Sequence, residues 1–148
     1  MGRPRILILG GTSEARLLAE ALAARDDRDV LLSLAGRTEK PAVQPVPVRI
    51  GGFGGAAALS AFLKAGGYDL LIDATHPFAE RISANAAFAA ETACIAAIVL
   101  RRPEWQRRPG DRWREVRSIP AAIEALGNSP RHVFLATGRQ GAHHAEAA

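Results

Sequence analysis

The chain has 148 residues, 48% of them hydrophobic, and a formal net charge of +4 at pH 7; that suits one folded domain with a core of its own. Its single cysteine, Cys94, excludes an intrachain disulfide and fits a reducing, cytoplasmic setting. The opening apolar run stops at glycines after four residues, too short for a signal segment or a membrane span.

In chain order, Arg5–Leu9 reads as a strand and Ser13–Arg25 as a helix. Ala15, Leu18, Ala21 and Leu22 recur there at helical spacing, and Thr12 or Ser13 can cap the free N–H groups. Asp29–Leu34 is the second strand. A proline-bearing loop, Thr38–Pro47, leads toward a third at Val46–Ile50 and a helix at Gly55–Ala65. Asp69–Asp73, a helix at Ala79–Ala93 and Ile95–Leu100 continue the alternation. Cys94 follows an alanine-rich helical stretch and reads as small core filler. After the loop Arg101–Asp111 come a helix at Ile119–Leu126 and a last strand at His132–Ala136. Short strands nearly free of polar residues suit a parallel sheet covered on both faces. Their alternation with helices predicts an α/β, doubly wound fold with helices on both faces. TGRQ and GAHHAEAA at the end carry no core pattern, as expected of a frayed tail or a truncated chain. His143 and His144 there are not read as a designed metal site, and no metal is expected.

The positive charge is almost wholly arginine, with seven between Arg101 and Arg117 beside Trp105 and Trp113. The cluster admits three readings: a phosphate-backbone track, a solvated connection, or a bidentate grip on a polyanionic small molecule. No nucleic-acid reader motif accompanies it, so nucleic acid ranks last.

Four loops carry candidate chemistry. Gly10 and Gly11 let the backbone turn and approach a ligand, and the Thr12 and Ser13 hydroxyls can reach phosphate oxygens at a helix start. GGTSEA lacks the spacing of the dinucleotide fingerprint, so a plain strand–turn–helix junction fits equally. The second strand ends SLAGRT, from Ser33 through Gly36 and Arg37 to Thr38. With an arginine and no acid there, a 2′-phosphate is favoured over a bare ribose hydroxyl, the alternative being a surface arginine in a turn. Gly51, Gly52, Phe53 and Gly54 open a glycine-rich loop that either brings backbone close to a ligand, with Phe53 over a flat ring, or is a flexible turn. DATHPFA places Thr75, His76, Pro77 and Phe78 after the fourth strand. That strand commonly lies beside the first, which would set these residues across the crevice from GGTS. Pro77 holds His76 out of helical geometry; His76 is either a ligand contact or an ordinary solvated histidine.

ILGGTSEAR, SLAGRT, GGFGG, DATHPFAERISANA, RRPEW…PGDRW and VFLATGRQ, in this order and spacing, resemble the precorrin-6A reductase family of the cobalamin pathway, over about Arg5 to Gln140. The resemblance implies a Rossmann-like fold and an NADPH-dependent reductase that delivers hydride to a macrocyclic double bond of a corrin precursor, a tetrapyrrole. By it, Gly10–Ser13, Ser33–Thr38 and Gly51–Gly54 hold NADPH. Thr75–Phe78 line the reaction site, and Arg139 and Gln140 open a second lobe on the substrate side. The arginine-rich stretch would steer the carboxylates of the substrate. His76 is the residue expected to donate or orient a proton. Family chains continue past TGRQ into a second lobe on the order of 100 residues. The expectation is therefore an NADPH-binding lobe over 1–131, with 132–148 as the start of a second lobe, truncated or disordered. A dimer mate or separate chain would supply the other wall. The rival reading is a non-catalytic NADP(H)-binding lobe or sensor. A short-chain dehydrogenase is disfavoured, because Tyr68 has Ile72 where a lysine is needed.

Overall fold

In the computed structural model, which describes residues 2–36, 43–103, 105–130 and 132–136, RILIL forms β1 (Arg5–Leu9) at the centre of a five-stranded sheet. β2 (Asp29–Leu34) pairs on one side of it, Leu7 against Leu31. β4 (Leu70–Asp73) pairs on the other, Leu7 against Leu71. With β3 (Val48–Ile50) and β5 (Ala96–Val99) the order is β3-β2-β1-β4-β5, every pairing parallel. The chain builds outward from β1 to β3, then returns to lay β4 on the opposite side of β1. That reversal is the topological switch point of a doubly wound sheet, and it opens between the carboxyl ends of β1 and β4.

The alternation of side chains along each strand decides which helix covers which face. Leu7, Leu9 and Leu71 point to one face, where Leu59 and Leu63 of α2 (Ala56–Ala65) and Ala86, Ala89 and Ala90 of α3 (Glu80–Ala93) close over them. Ile6, Ile8, Leu32 and Ile72 point to the other, against Ala15 and Ala19 of α1 (Ser13–Ala23). Alanines on the buried stripes let the helix backbones approach the leucine and isoleucine rows. Each fully buried leucine contributes about 1.5–3 kcal/mol.

Three expectations are corrected. β5 is not covered on both faces: all four of its residues are exposed, because the strand residues that α1–α3 bury belong to β1, β2 and β4. Residues 132–136 form no strand. Val133, Phe134 and Leu135 are exposed, and β propensity makes a strand only where a ladder partner is present. Cys94 is exposed rather than core filler. It ends α3 in the left-handed region at φ 56°, its N–H returning to the Ala90 and Glu91 carbonyls.

The chain divides into two compact units, Met1–Glu104 and Trp105–Ala148; the boundary read between 131 and 132 lies inside the second. The sheet and α1–α3 belong to the first unit. In the second, α4 (Ile119–Leu126) starts where the Ser118 hydroxyl accepts the Ala121 N–H at 3.2 Å. Among the described residues no helix is long and apolar enough to cross a membrane.

Candidate functional site

At the switch point lies an open crevice of ≈ 120 Å³. Gly11, Thr12, Ser13 and Glu14 line it from the β1–α1 loop, Thr75, His76 and Pro77 from the β4–α3 loop, and Leu100 and Arg102 from the segment after β5. A drug-sized ligand pocket spans roughly 300–1,000 Å³, so this crevice takes a phosphate-sized part of a ligand, not a whole macrocycle.

In the first loop, Gly10 has no room for a side chain. A Cβ there would lie 2.6 Å from Leu32 Cδ1 and 3.3 Å from the Ala15 Cβ. Its N–H donates to the Ser33 carbonyl at 2.9 Å, prolonging the β1–β2 ladder. Gly11 turns the chain at φ 120°. The Thr12 hydroxyl accepts the Ala15 N–H at 3.1 Å and donates to the Ala74 carbonyl at 2.8 Å. Its one hydrogen thus joins the two loops, rather than pointing at a phosphate as expected.

The Ser13 and Glu14 N–H groups belong to the first turn of α1, which has no intrahelical acceptor for them, and sit at the positive end of the helix. A carboxylate already stands there. The Ser13 hydroxyl donates to Glu14 Oε2 at 3.0 Å, and Arg102 Nε lies 3.8 Å from Oε1. The Glu14 carboxyl is held below the usual carboxylate value first by its own backbone N–H, then by Ser13, with the charges of Arg102 and His76 adding to this.

Buried Asp73 shapes the second loop: its Oδ1 accepts the Thr75 N–H at 3.1 Å and the Thr75 hydroxyl at 2.6 Å. The next four residues close a turn through Ala79 N–H to the His76 carbonyl at 2.8 Å, with Pro77 at its second position. The Phe78 N–H donates to His76 Nδ1 at 3.2 Å. With Nδ1 an acceptor, the neutral ring carries its hydrogen on Nε2 and offers a donor from that edge. Phe78 itself is 89% exposed, its ring 5.2 Å from that of His76.

The remaining candidates lie elsewhere. Ser33 is buried in β2. Gly36, at φ 76°, faces Ile50, and Gly51 donates its N–H to the Leu34 carbonyl at 2.8 Å. The ends of β2 and β3 are thus joined beside the crevice, not in it. Phe53 packs edge-on to Phe62 at 5.2 Å, with the Arg49 guanidinium 4.0 Å over its face, so that face is covered by protein. Arg37, Thr38, Arg139 and Gln140 lie outside the described residues, as do His143 and His144. Among the described residues no cluster of acids, histidines and cysteines is placed to hold a metal ion.

Three residues were not anticipated, Glu14, Asp73 and Leu100, and Arg102 was read only as one of the arginine-rich stretch from Arg101 to Arg117. An acid in the first turn of a helix is a legible signal. That Arg102 is its neighbour follows only from the pairing of β5 with β4, which carries the end of β5 to the crevice.

A family model described as "Precorrin-6x reductase CbiJ/CobK" matches residues 5–148. The chain is 58% identical over its full length to a protein named precorrin-6A reductase from Sinorhizobium sp, spanning 57% of that protein. To one of the same name from Rhodococcus erythropolis it is 50% identical over 137 residues, 93% of this chain and 55% of the relative. Among solved structures, one titled CobK precorrin-6A reductase superposes with a TM-score of 0.93 at 45% identity, covering 97% of this chain and 57% of that one. A saccharopine dehydrogenase from Saccharomyces cerevisiae, 19% identical with a TM-score of 0.53, shares the fold over 65% of this chain. The chain spans just over half the length of the precorrin-6A reductases it matches.

Proposed function

This chain belongs to the Precorrin-6x reductase CbiJ/CobK family, and we propose that it holds NADPH for the reduction of a macrocyclic double bond in precorrin-6A, a step of cobalamin biosynthesis. The observation that carries this reading is the crevice between the β1–α1 and β4–α3 loops, where a helix start meets His76.

NADPH supplies the hydride when bound; the chain's own residues bind and orient. The donors at the start of α1 and the side-chain-free backbone at Gly11 fit a pyrophosphate, with room for a group of that size and little more. Ser13 and Glu14 N–H hold it once the Glu14 carboxylate, which stands at the helix start in this structure, gives way to it. Ser33, Gly36, Arg37, Thr38 and the loop Gly51–Gly54 serve the adenosine side, with Arg37 on the 2′-phosphate. Thr75, Pro77 and Phe78 line the substrate side. His76 presents Nε2–H there, as orienter or, when protonated, as proton donor.

Residues 1–131 are assigned to holding NADPH and 132–148 to the start of a second lobe, in which Arg139 and Gln140 meet the substrate. The remaining wall of the site belongs to the part of the relatives that this chain does not span. The second reading is an NADP(H)-binding lobe that turns nothing over by itself. Titration of the purified chain with NADPH and NADH, followed by NADPH oxidation with precorrin-6A added, separates these. Tight NADPH binding with turnover supports the reductase, and binding without turnover the second reading. Equal affinity for the two cofactors sinks the 2′-phosphate assignment.

A further inference from the structure

We propose that Arg49 is a positioning residue of the glycine-rich loop, setting the Gly52 and Phe53 N–H groups as a pair of donors for a phosphate oxygen of the cofactor. The role of the loop toward a cofactor rests on the NADPH reading above; its setting by Arg49 does not.

Arg49 sits in the middle of β3, half-buried. One terminal nitrogen of its guanidinium donates to the Gly51 carbonyl and the other to the Gly52 carbonyl, the latter at 2.8 Å. Its plane lies 4.0 Å over the Phe53 ring and 5.5 Å from the centre of Phe62. Among the described residues no ion pair involves Arg49. Its charge is therefore directed at two carbonyl dipoles and two ring faces.

The consequence follows from peptide geometry. No peptide bond described is cis, and in a trans peptide the N–H points opposite to the C=O it is bonded to. With the Gly51 and Gly52 carbonyls turned to the guanidinium, the Gly52 and Phe53 N–H groups point away from it, two successive donors facing one way. Such runs of backbone N–H bind anions. Gly51, Gly54 and Gly55 all have positive φ, at 114°, 89° and 118°. A stretch this rich in glycine has many conformations open to it, so one must be selected by contacts. Arg49 makes that selection at both carbonyls and through Phe53. The Gly51 N–H on the Leu34 carbonyl fixes the start of the loop beside the strand that leads to Arg37. Lysine keeps the charge but lacks the planar fork and the flat face.

Amide hydrogen exchange over 51–55 and NADPH affinity, measured on the wild-type chain, R49K and R49M, test this. In R49M the Gly51 amide, whose N–H is bonded to the Leu34 carbonyl, is expected to exchange at least about tenfold faster, with β1 and α1 unchanged. NADPH binding is expected to weaken by about tenfold, the scale of one charge-assisted hydrogen bond, and R49K restores neither property. Unchanged exchange in R49M, or full recovery in R49K, overturns the proposal; R49K carries the test alone if R49M loses its fold by circular dichroism. Should the wild-type chain bind no NADPH, the cofactor reading fails, and exchange alone then judges the setting of the loop. Should R49M loosen the loop yet bind NADPH as tightly as wild type, the donor pair fails while the cofactor reading stands.

Discussion

The Thr12 hydroxyl donates to the Ala74 carbonyl at 2.8 Å while accepting the Ala15 N–H at 3.1 Å. One side chain thus caps α1 and fastens the loop after β1 to the loop after β4, the two loops that line the crevice. Removing it is expected to cost about 1–2 kcal/mol, the sum of a lost cap and a partly buried hydrogen bond. In urea denaturation T12S should stay within about 0.5 kcal/mol of wild type and T12V should fall by the larger amount. Equal midpoints for the two variants would remove the hydroxyl from the account.

Glu14 places negative charge where the cofactor's pyrophosphate is proposed to bind. E14Q should therefore bind NADPH about two- to fivefold more tightly, the scale of one charge at a helix end. Isothermal titration reads this directly, and weaker binding in E14Q would mean that the carboxylate is itself a ligand contact.

The same carboxyl has a testable pH signature. Its value in the folded chain is depressed, so its contribution to stability is present above the usual carboxylate value and is lost as pH falls through the depressed one. Because the Ser13 hydroxyl donates to the carboxylate at 3.0 Å while the exposed Arg102 nitrogen stands 3.8 Å from it, S13A should raise the Glu14 titration midpoint more than R102Q does. Carbon-detected NMR of the Glu14 carboxyl checks the order, and the reverse order would show that the arginine charge dominates.

The two glycines after β1 should fail differently. In G10A the new methyl meets Leu32 and Ala15, both buried, which costs about 1–3 kcal/mol of overpacking. G11A meets nothing within 4 Å but must hold φ 120°, a strain of about 1–3 kcal/mol. Adding L32V should relieve part of the G10A penalty in a double-mutant cycle and none of the G11A penalty. Equal coupling in both cycles would contradict the packing role of Gly10.

At the end of α3, Cys94 takes a left-handed conformation that glycine adopts without strain. C94G should raise stability by about 1 kcal/mol and C94A should not. A thermal scan showing no gain for C94G would mean that the thiol makes a compensating contact.

If His76 orients or donates the proton, H76A should lower turnover at saturating substrate by on the order of 10²-fold with NADPH affinity unchanged. Equal turnover in H76A assigns the proton to water or to the substrate.

The sequence determined by itself what short-range patterns encode. RILIL followed by glycines, with Thr12 ahead of residues at helical spacing, is a strand, turn and capped helix, and the structure places them within a residue or two. The alternation of elements was enough for the doubly wound sheet and for β4 beside β1, and hence for GGTS facing THP. Tertiary structure alone decided what each polar or apolar side chain spends its contacts on. The Thr12 hydrogen goes to Ala74 and the Thr75 hydroxyl to Asp73, while the face of Phe53 lies under Arg49. Arg102 meets Glu14 because β5 pairs with β4. HVFLA has strand propensity at 132–136 but no ladder, and β5 is apolar yet exposed at the sheet edge. Helical and strand periods are properties of neighbouring residues. Which partner a side chain bonds, how far it is buried and whether an edge segment finds a ladder depend on segments distant in the chain, and no local pattern carries that information.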